Sequence, residues 1–256
     1  MLPSASPGAR SLSIIAAPPR RSSRRPLVLG ALAVAVGAIG AVGWIFRVEA
    51  PANWASKVKV VKWESRLGPR EGAIYVPSGR AGPFPLVVVC DASFTLGDAV
   101  RRFARHAQRY GYVLASTRSV GRGASPSDGE ETEVLIEQVR SMAELDSSRV
   151  MLAGCDAAAE CAYRLAVLEP EVYGGAIAEL PNISVWRDIA AFARPGTPFY
   201  LFTRTSDPRR ELTYTLKDEM EHRGMIVTVV ELPGGHEGMS GEDIDGAFQW
   251  MNALRA

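Results

Sequence analysis

From about residue 56 to the C-terminus, short apolar runs alternate with blocks of helical spacing, and this alternation constrains the fold most tightly. Leu86–Cys90 is apolar at every position, as a strand buried on both faces must be. Asp98–Tyr110 follows, with Val100, Phe103, Ala104 and Ala107 on one helical face. The pattern predicts strands at Lys57–Trp63 and Ala73–Val76, joined by a Gly-Pro turn, and then at Leu86–Cys90, Tyr112–Ser116, Arg149–Gly154, Gly174–Leu180, Pro198–Phe202 and Ile226–Leu232. It predicts helices at Asp98–Tyr110, Glu131–Leu145, Ala157–Leu168, Arg210–Arg223 and Glu242–Leu254, with a short one at Val185–Ala193. Such alternation calls for an α/β fold: an eight-stranded, mostly parallel sheet with helices on both faces. Hydrophobic residues at 47% and charged residues at 22% exclude wholesale disorder.

The N-terminus carries a different signal. Leu27 to Phe46 is a run of 20 residues without a charge, enough at about 1.5 Å per residue to span a bilayer's hydrocarbon core. Arg10, Arg20, Arg21, Arg24 and Arg25 precede it with no acid among them. This asymmetry predicts a single transmembrane helix with its N-terminus in the cytoplasm and the following domain outside, periplasmic or extracellular. The expected organisation is a disordered basic tail at 1–26, the span at 27–46, a linker at 47–56 and one domain at 57–256. An alternative stays open. Ser23-Arg24-Arg25-Pro26-Leu27-Val28 resembles a twin-arginine export signal, and Ala50-Pro51-Ala52 fits a small-x-small cleavage site, so export with cleavage near Ala52 is the second reading. Trp44, placed like an interfacial anchor, favours retention. Ala33, Gly37 and Ala41 have the spacing of a helix-packing stripe, but an Ala/Gly-rich membrane segment accounts for them equally.

Sheets of this kind carry their chemistry in loops at the C-terminal ends of the strands. Three such loops stand out. The first reads Gly154-Cys155-Asp156-Ala157-Ala158. It resembles the nucleophile elbow of the α/β-hydrolase superfamily, a strained strand-to-helix turn that needs small residues two before and two after the nucleophile. Asp156 stands where that family has serine, and aspartate tolerates left-handed backbone better than most residues. The second loop carries Asp207, at the family's position for the acid. The third, Gly234-Gly235-His236, carries a histidine after the last strand, whereas His106 and His222 fall inside predicted helices. The order nucleophile, acid, histidine matches the family over roughly residues 57–256. The resemblance is to its cap-less esterases and depolymerases; the fold's dehalogenases and epoxide hydrolases carry a cap domain between elbow and acid, for which the 51 positions between Asp156 and Asp207 leave no room.

The resemblance implies a catalytic set of Asp156, His236 and Asp207. Either Asp156 attacks, as aspartate does in the dehalogenases and epoxide hydrolases of this fold, or a water activated by His236 does. Backbone N–H groups of Ala157 and of the loop Asp91-Ala92-Ser93 would form the oxyanion and pocket region. That loop departs from the family's usual His-Gly, and a carboxylate at Asp91 would repel a developing oxyanion. If Asp91 and Asp156 both face the site, one of them should be protonated. Cys155 is a rival nucleophile in a register shifted by one, although small buried packing residues account for Cys90, Cys155 and Cys161 equally. Asp156 has a plainer reading as the cap of the helix Ala157–Leu168, and Asp207 one as a turn residue before Pro208. Arg118 and Arg122, beside Gly121 and Gly123, are candidates for an anionic substrate or simply solvated loop residues; Trp186 fits pocket or core.

Two functions follow. One is a membrane-anchored hydrolase of ester-type bonds working on a small molecule. The other is a pseudo-hydrolase that keeps the fold as a binding or scaffolding domain for an unknown ligand. Without CxxC or HExxH the usual zinc spacings are missing, and no cofactor is expected. A net charge of +1 gives no reason to expect a nucleic-acid partner.

Overall fold

Strand β3, Phe84–Cys90, is buried along its whole length, and the sheet is built around it. Leu86, Val88 and Cys90 join one hydrophobic cluster while Val87 and Val89 join the other, because successive strand side chains point to opposite faces. The computed structural model describes residues 57–66, 68–90, 97–118, 127–179, 181, 183–235 and 238–254. They form β1 (Lys59–Ser65), β2 (Gly68–Tyr75), β3, α1 (Asp98–Tyr110), β4 (Val113–Thr117), α2 (Asp128–Arg140), β5 (Leu145–Cys155) and α3 (Ala157–Leu168). Then come β6 (Gly175–Glu179), α4 (Ile183–Ile189) running into a 3₁₀ turn at Ala190–Phe192, β7 (Pro198–Arg204), α5 (Arg210–His222), β8 (Ile226–Leu232) and α6 (Gly241–Ala253).

The eight strands lie in the order β1-β2-β4-β3-β5-β6-β7-β8. β1 and β2 form an antiparallel hairpin, β2 meets β4 antiparallel, and every later pairing is parallel. Helices α1 and α6 cover one face through Val100, Phe103, Ala104, Ile244, Ala247 and Phe248. Helices α2 to α5 supply the opposite cluster, with Leu135, Ala162, Trp186 and Leu216 among its members. The sequence expectation of a mostly parallel eight-stranded sheet covered on both faces therefore holds. β3 leaves the sheet toward α1 on one face, and its neighbour β5 leaves toward α3 on the other, with Cys90 paired to Gly154. Their C-terminal ends thus form the switch point at which such sheets bind ligands.

Several boundaries differ from the sequence reading, each for a physical reason. β2 begins at Gly68 rather than Ala73, because the polar stretch Pro69–Glu71 pairs with the edge strand β1, where no apolar run is needed. Helix α2 covers Asp128–Arg140 rather than Glu131–Leu145. Its first turn holds Asp128, Glu130 and Glu131, which suit the positive end of the helix dipole. Leu145, read as helical, instead opens β5 opposite Phe84, so tertiary pairing overrides its propensity. β7 runs two residues past Phe202 to Arg204, with consequences below. The predicted tail 1–26, span 27–46 and linker 47–56 lie outside the described residues. Among the described residues no helix is long and apolar enough to cross a membrane.

Candidate active site at the C-terminal ends of the strands

The turn from β5 into α3 is a strained elbow. Asp156 has φ 54° and ψ −121°, and among the described residues no other non-glycine has a positive φ. Such a conformation costs about 1–3 kcal/mol and persists only where surrounding structure enforces it. The enforcement is visible. The Asp156 N–H donates to the Glu179 carbonyl on β6 (3.0 Å), and the Asp156 carbonyl accepts from Glu160 in the first turn of α3 (3.2 Å). Gly154 shows why the small-residue rule applies, since a Cβ there would sit 2.2 Å from the Ala158 carbonyl oxygen and 2.7 Å from the Ala159 nitrogen. Those are backbone atoms of α3 and cannot swing aside. Ala157, expected to offer an oxyanion-hole N–H, is the exposed first residue of α3.

The carboxylate of Asp156 makes no capping bond to α3, which removes the plain helix-cap reading. It is paired instead with Arg209, whose Nη1 donates to Asp156 Oδ1 at 2.9 Å. Arg209 also grips Asp207: its Nε donates to Oδ1 (3.1 Å) and its Nη2 to Oδ2 (3.1 Å). Its backbone N–H donates to Asp207 Oδ1 at 2.7 Å, so the turn reading of Asp207 is right as far as it goes. Asp207 is buried while Arg209 and Asp156 are about one-third exposed. Two carboxylates far apart in sequence are thus brought to one guanidinium at the mouth of the sheet. The hydrogen bonds it donates to Asp207, and after burial's opposing effect the one to Asp156, hold the Arg209 pKa above its usual value. Arg209 thus supplies donors to both carboxylate oxygens of Asp207.

His236 and the loop residues Asp91, Ala92 and Ser93 lie outside the described residues, as do Gly121, Arg122 and Gly123. The stem of the histidine loop is described. Ser206, beside Asp207, donates its N–H to the Gly234 carbonyl (2.9 Å), and Thr205 donates to Leu232 (2.9 Å). The acid loop and the histidine loop therefore leave the sheet together.

The remaining candidates separate cleanly. The Cys155 thiol is pushed well above its usual pKa by burial first and by the charges of Glu179 and Asp156 next. A reactive cysteine needs the thiolate, so the rival-nucleophile reading is disfavoured. Cys90 and Cys161 are buried, and the Cys161 thiol donates to Asp128 Oδ2 at 3.3 Å. Trp186 is buried and belongs to the core. Arg118 approaches Glu71 at 3.9 Å. His106 sits on α1 with Nδ1 3.1 Å from Asp245, away from the elbow in the fold.

Sequence reasoning missed Arg209, although Asp207-Pro208-Arg209 holds a readable signal: an aspartate two residues before an arginine in a turn. It also missed Glu179 and Arg204, the final residues of β6 and β7, which form a buried pair beneath the elbow.

No family model matches the chain, and no curated protein matches it. Solved structures do. An esterase from Pyrobaculum calidifontis superposes with a TM-score of 0.63 at 14% identity, over 79% of this chain and 88% of that one. An S-formylglutathione hydrolase from Agrobacterium tumefaciens gives 0.58 at 17%, over 77% and 92%. A protein described as a dipeptidyl aminopeptidase IV from Bacteroides ovatus gives 0.60 at 12%, over 77% of this chain. The chain spans only about a third (35%) of that longer protein. The chain has the α/β-hydrolase fold.

Proposed function

We propose that the protein is a hydrolase of ester-type bonds in which Asp156 is the nucleophile, His236 the base and Asp207 the residue that orients the histidine. The observation that supports this most is the strained backbone at Asp156. A helix cap needs no left-handed conformation and no glycine packed against α3, whereas an exposed nucleophile on an elbow needs both. Asp156 attacks the acyl carbon and forms a mixed anhydride as the bond to the alcohol oxygen breaks, the alkoxide taking a proton from solvent water. A second water, deprotonated by His236, adds to the acyl carbon, breaks its bond to Asp156 and restores the carboxylate, and the proton on the histidine neutralises the hydroxide left by the first step. Over the cycle one water is consumed and an acid and an alcohol are released. Backbone N–H groups of Ala157 and of the Asp91-Ala92-Ser93 loop receive the oxyanion in this scheme. Arg209 offsets the charge that Asp156 brings to the elbow. The esterase and hydrolase neighbours in fold agree with this class of reaction without specifying a substrate.

One observation favours a second reading. Arg209 already occupies the carboxylates of both Asp156 and Asp207, as in a site held closed by its own ion pairs. In that reading the domain binds a ligand or a protein and turns nothing over. His236→Ala separates the two: it abolishes hydrolysis of short-chain nitrophenyl esters by the full chain while the unfolding midpoint stays unchanged. Unchanged turnover would rule out the histidine as base.

For the N-terminus, the charge-free stretch 27–46 behind five arginines supports a single-pass anchor with the domain on the outer side. Alkaline carbonate should leave the full chain in the membrane pellet. Release into the supernatant, with a new N-terminus near residue 53, would favour export and cleavage.

A further inference from the structure

Arg204 is 5% exposed and Glu179 is wholly buried, which makes theirs the most deeply buried ion pair among the described residues. Taking two charges out of water is expensive, and such a pair usually stabilises a fold no better than apolar residues of similar size. Stability alone does not account for the pair, and the geometry supplies another role. Arg204 Nε and Nη2 both donate to Glu179 Oε1, at 3.1 and 2.8 Å. Its remaining contacts reach the loop after β8: Nη1 donates to the Pro233 carbonyl (3.3 Å) and Nη2 to the Gly238 carbonyl. One planar guanidinium therefore holds the carbonyls of Pro233 and Gly238 together. The other end of the connection is the elbow. Glu179 pairs with Cys155 across the sheet, and its carbonyl accepts the Asp156 N–H. Both of the arginine's bonds fall on Glu179 Oε1, so the guanidinium sets the direction of the carboxylate. Asp243, in the first turn of α6, lies 3.9 Å from Nη2 and brings that helix to the same point.

We infer that Arg204, seated on Glu179, is a positioning residue that holds Pro233 and Gly238 in place relative to the elbow. The inference rests on the hydrolase reading for its consequence in turnover, since His236 lies between those two residues in sequence, but not for its structural content. Lysine cannot replace the arginine, because a single ammonium does not reach the carboxylate and two carbonyls in a planar fork.

Hydrogen exchange of the full chain, read by mass spectrometry on peptides covering 232–240, tests it in the wild type, Arg204→Lys and Glu179→Gln/Arg204→Met. The double variant removes both charges and guards against simple unfolding from an orphaned Glu179. In both variants the turn should exchange about tenfold faster, while peptides from β3, β5 and α3 keep their wild-type protection. Where the wild type hydrolyses esters, kcat should fall by about 100-fold with KM unchanged, as a misplacement on the order of 1 Å would cause. Unchanged exchange in the turn, or faster exchange spread evenly over the whole sheet, would overturn the inference. A wild type that hydrolyses nothing would count against the hydrolase reading and leave the exchange result to decide this one.

Discussion

Two arginines five positions apart bind carboxylates in opposite ways. Arg204 is buried, donates hydrogen bonds to one carboxylate and two backbone carbonyls, and sits at the end of a strand. Arg209 is one-third exposed, meets two carboxylates, and sits on the loop that follows. The same chemical pair has different worth in the two places. In the dry site neither charge can be left alone, so the geometry is fixed and the loops that depend on it are fixed too. In the wetter site water competes for the bond to Asp156, so that half of the cluster is cheap to open, while the half on buried Asp207 holds the arginine in place. The candidate site thus has a rigid floor and an exchangeable mouth.

This contrast can be broken at several points. The largest effect belongs to Arg204→Met, which strands Glu179 in the interior. It should cost about 3–5 kcal/mol in urea unfolding, and adding Glu179→Gln should restore most of that. A single variant within about 1 kcal/mol of wild type would erase the distinction between floor and mouth. The elbow comes next. Asp156→Val puts a β-branched residue at φ 54° and should cost about 1–2 kcal/mol, whereas Asp156→Asn, which tolerates that backbone, should stay within about 0.5 kcal/mol. Equal stabilities for the two would mean that the backbone relaxes and the elbow stores no strain. Last comes Arg209→Gln, which should cost about 1 kcal/mol, well below Arg204→Met because Asp207 keeps the backbone N–H donor of residue 209, and the part owed to the exposed Asp156 should shrink as salt rises toward 1 M. A loss that is large and indifferent to salt would place Arg209 with the buried pair.

Much of this architecture was legible before any coordinates. The apolar runs of β3, β5 and β7 announce a sheet covered on both faces, and Gly154 with Ala158 announces the elbow through a steric demand that two small residues meet. Boundaries were lost where tertiary pairing decides, as at Leu145, which helical spacing alone assigns to α2. The arginines were lost for a different reason. Charges at the ends of buried strands look like the point where a strand stops, so Arg204 read as loop rather than as the buried last residue of β7. Arg209 drew no reading at all, because nothing in local sequence places it against a carboxylate 53 positions away. Long-range charge pairing carries no periodic signature, unlike packing, which writes itself into every second or fourth residue.

The central claim is that the Asp156 carboxylate does the chemistry. Asp156→Asn keeps the elbow's backbone preference and removes only the charge, so turnover of a short-chain nitrophenyl ester by the full chain, wild type beside Asp156→Asn, tests it most directly. The account predicts measurable turnover by the wild type and a loss of at least about 1,000-fold in the variant at unchanged stability. Equal turnover by the two proteins, or none by the wild type, would contradict it.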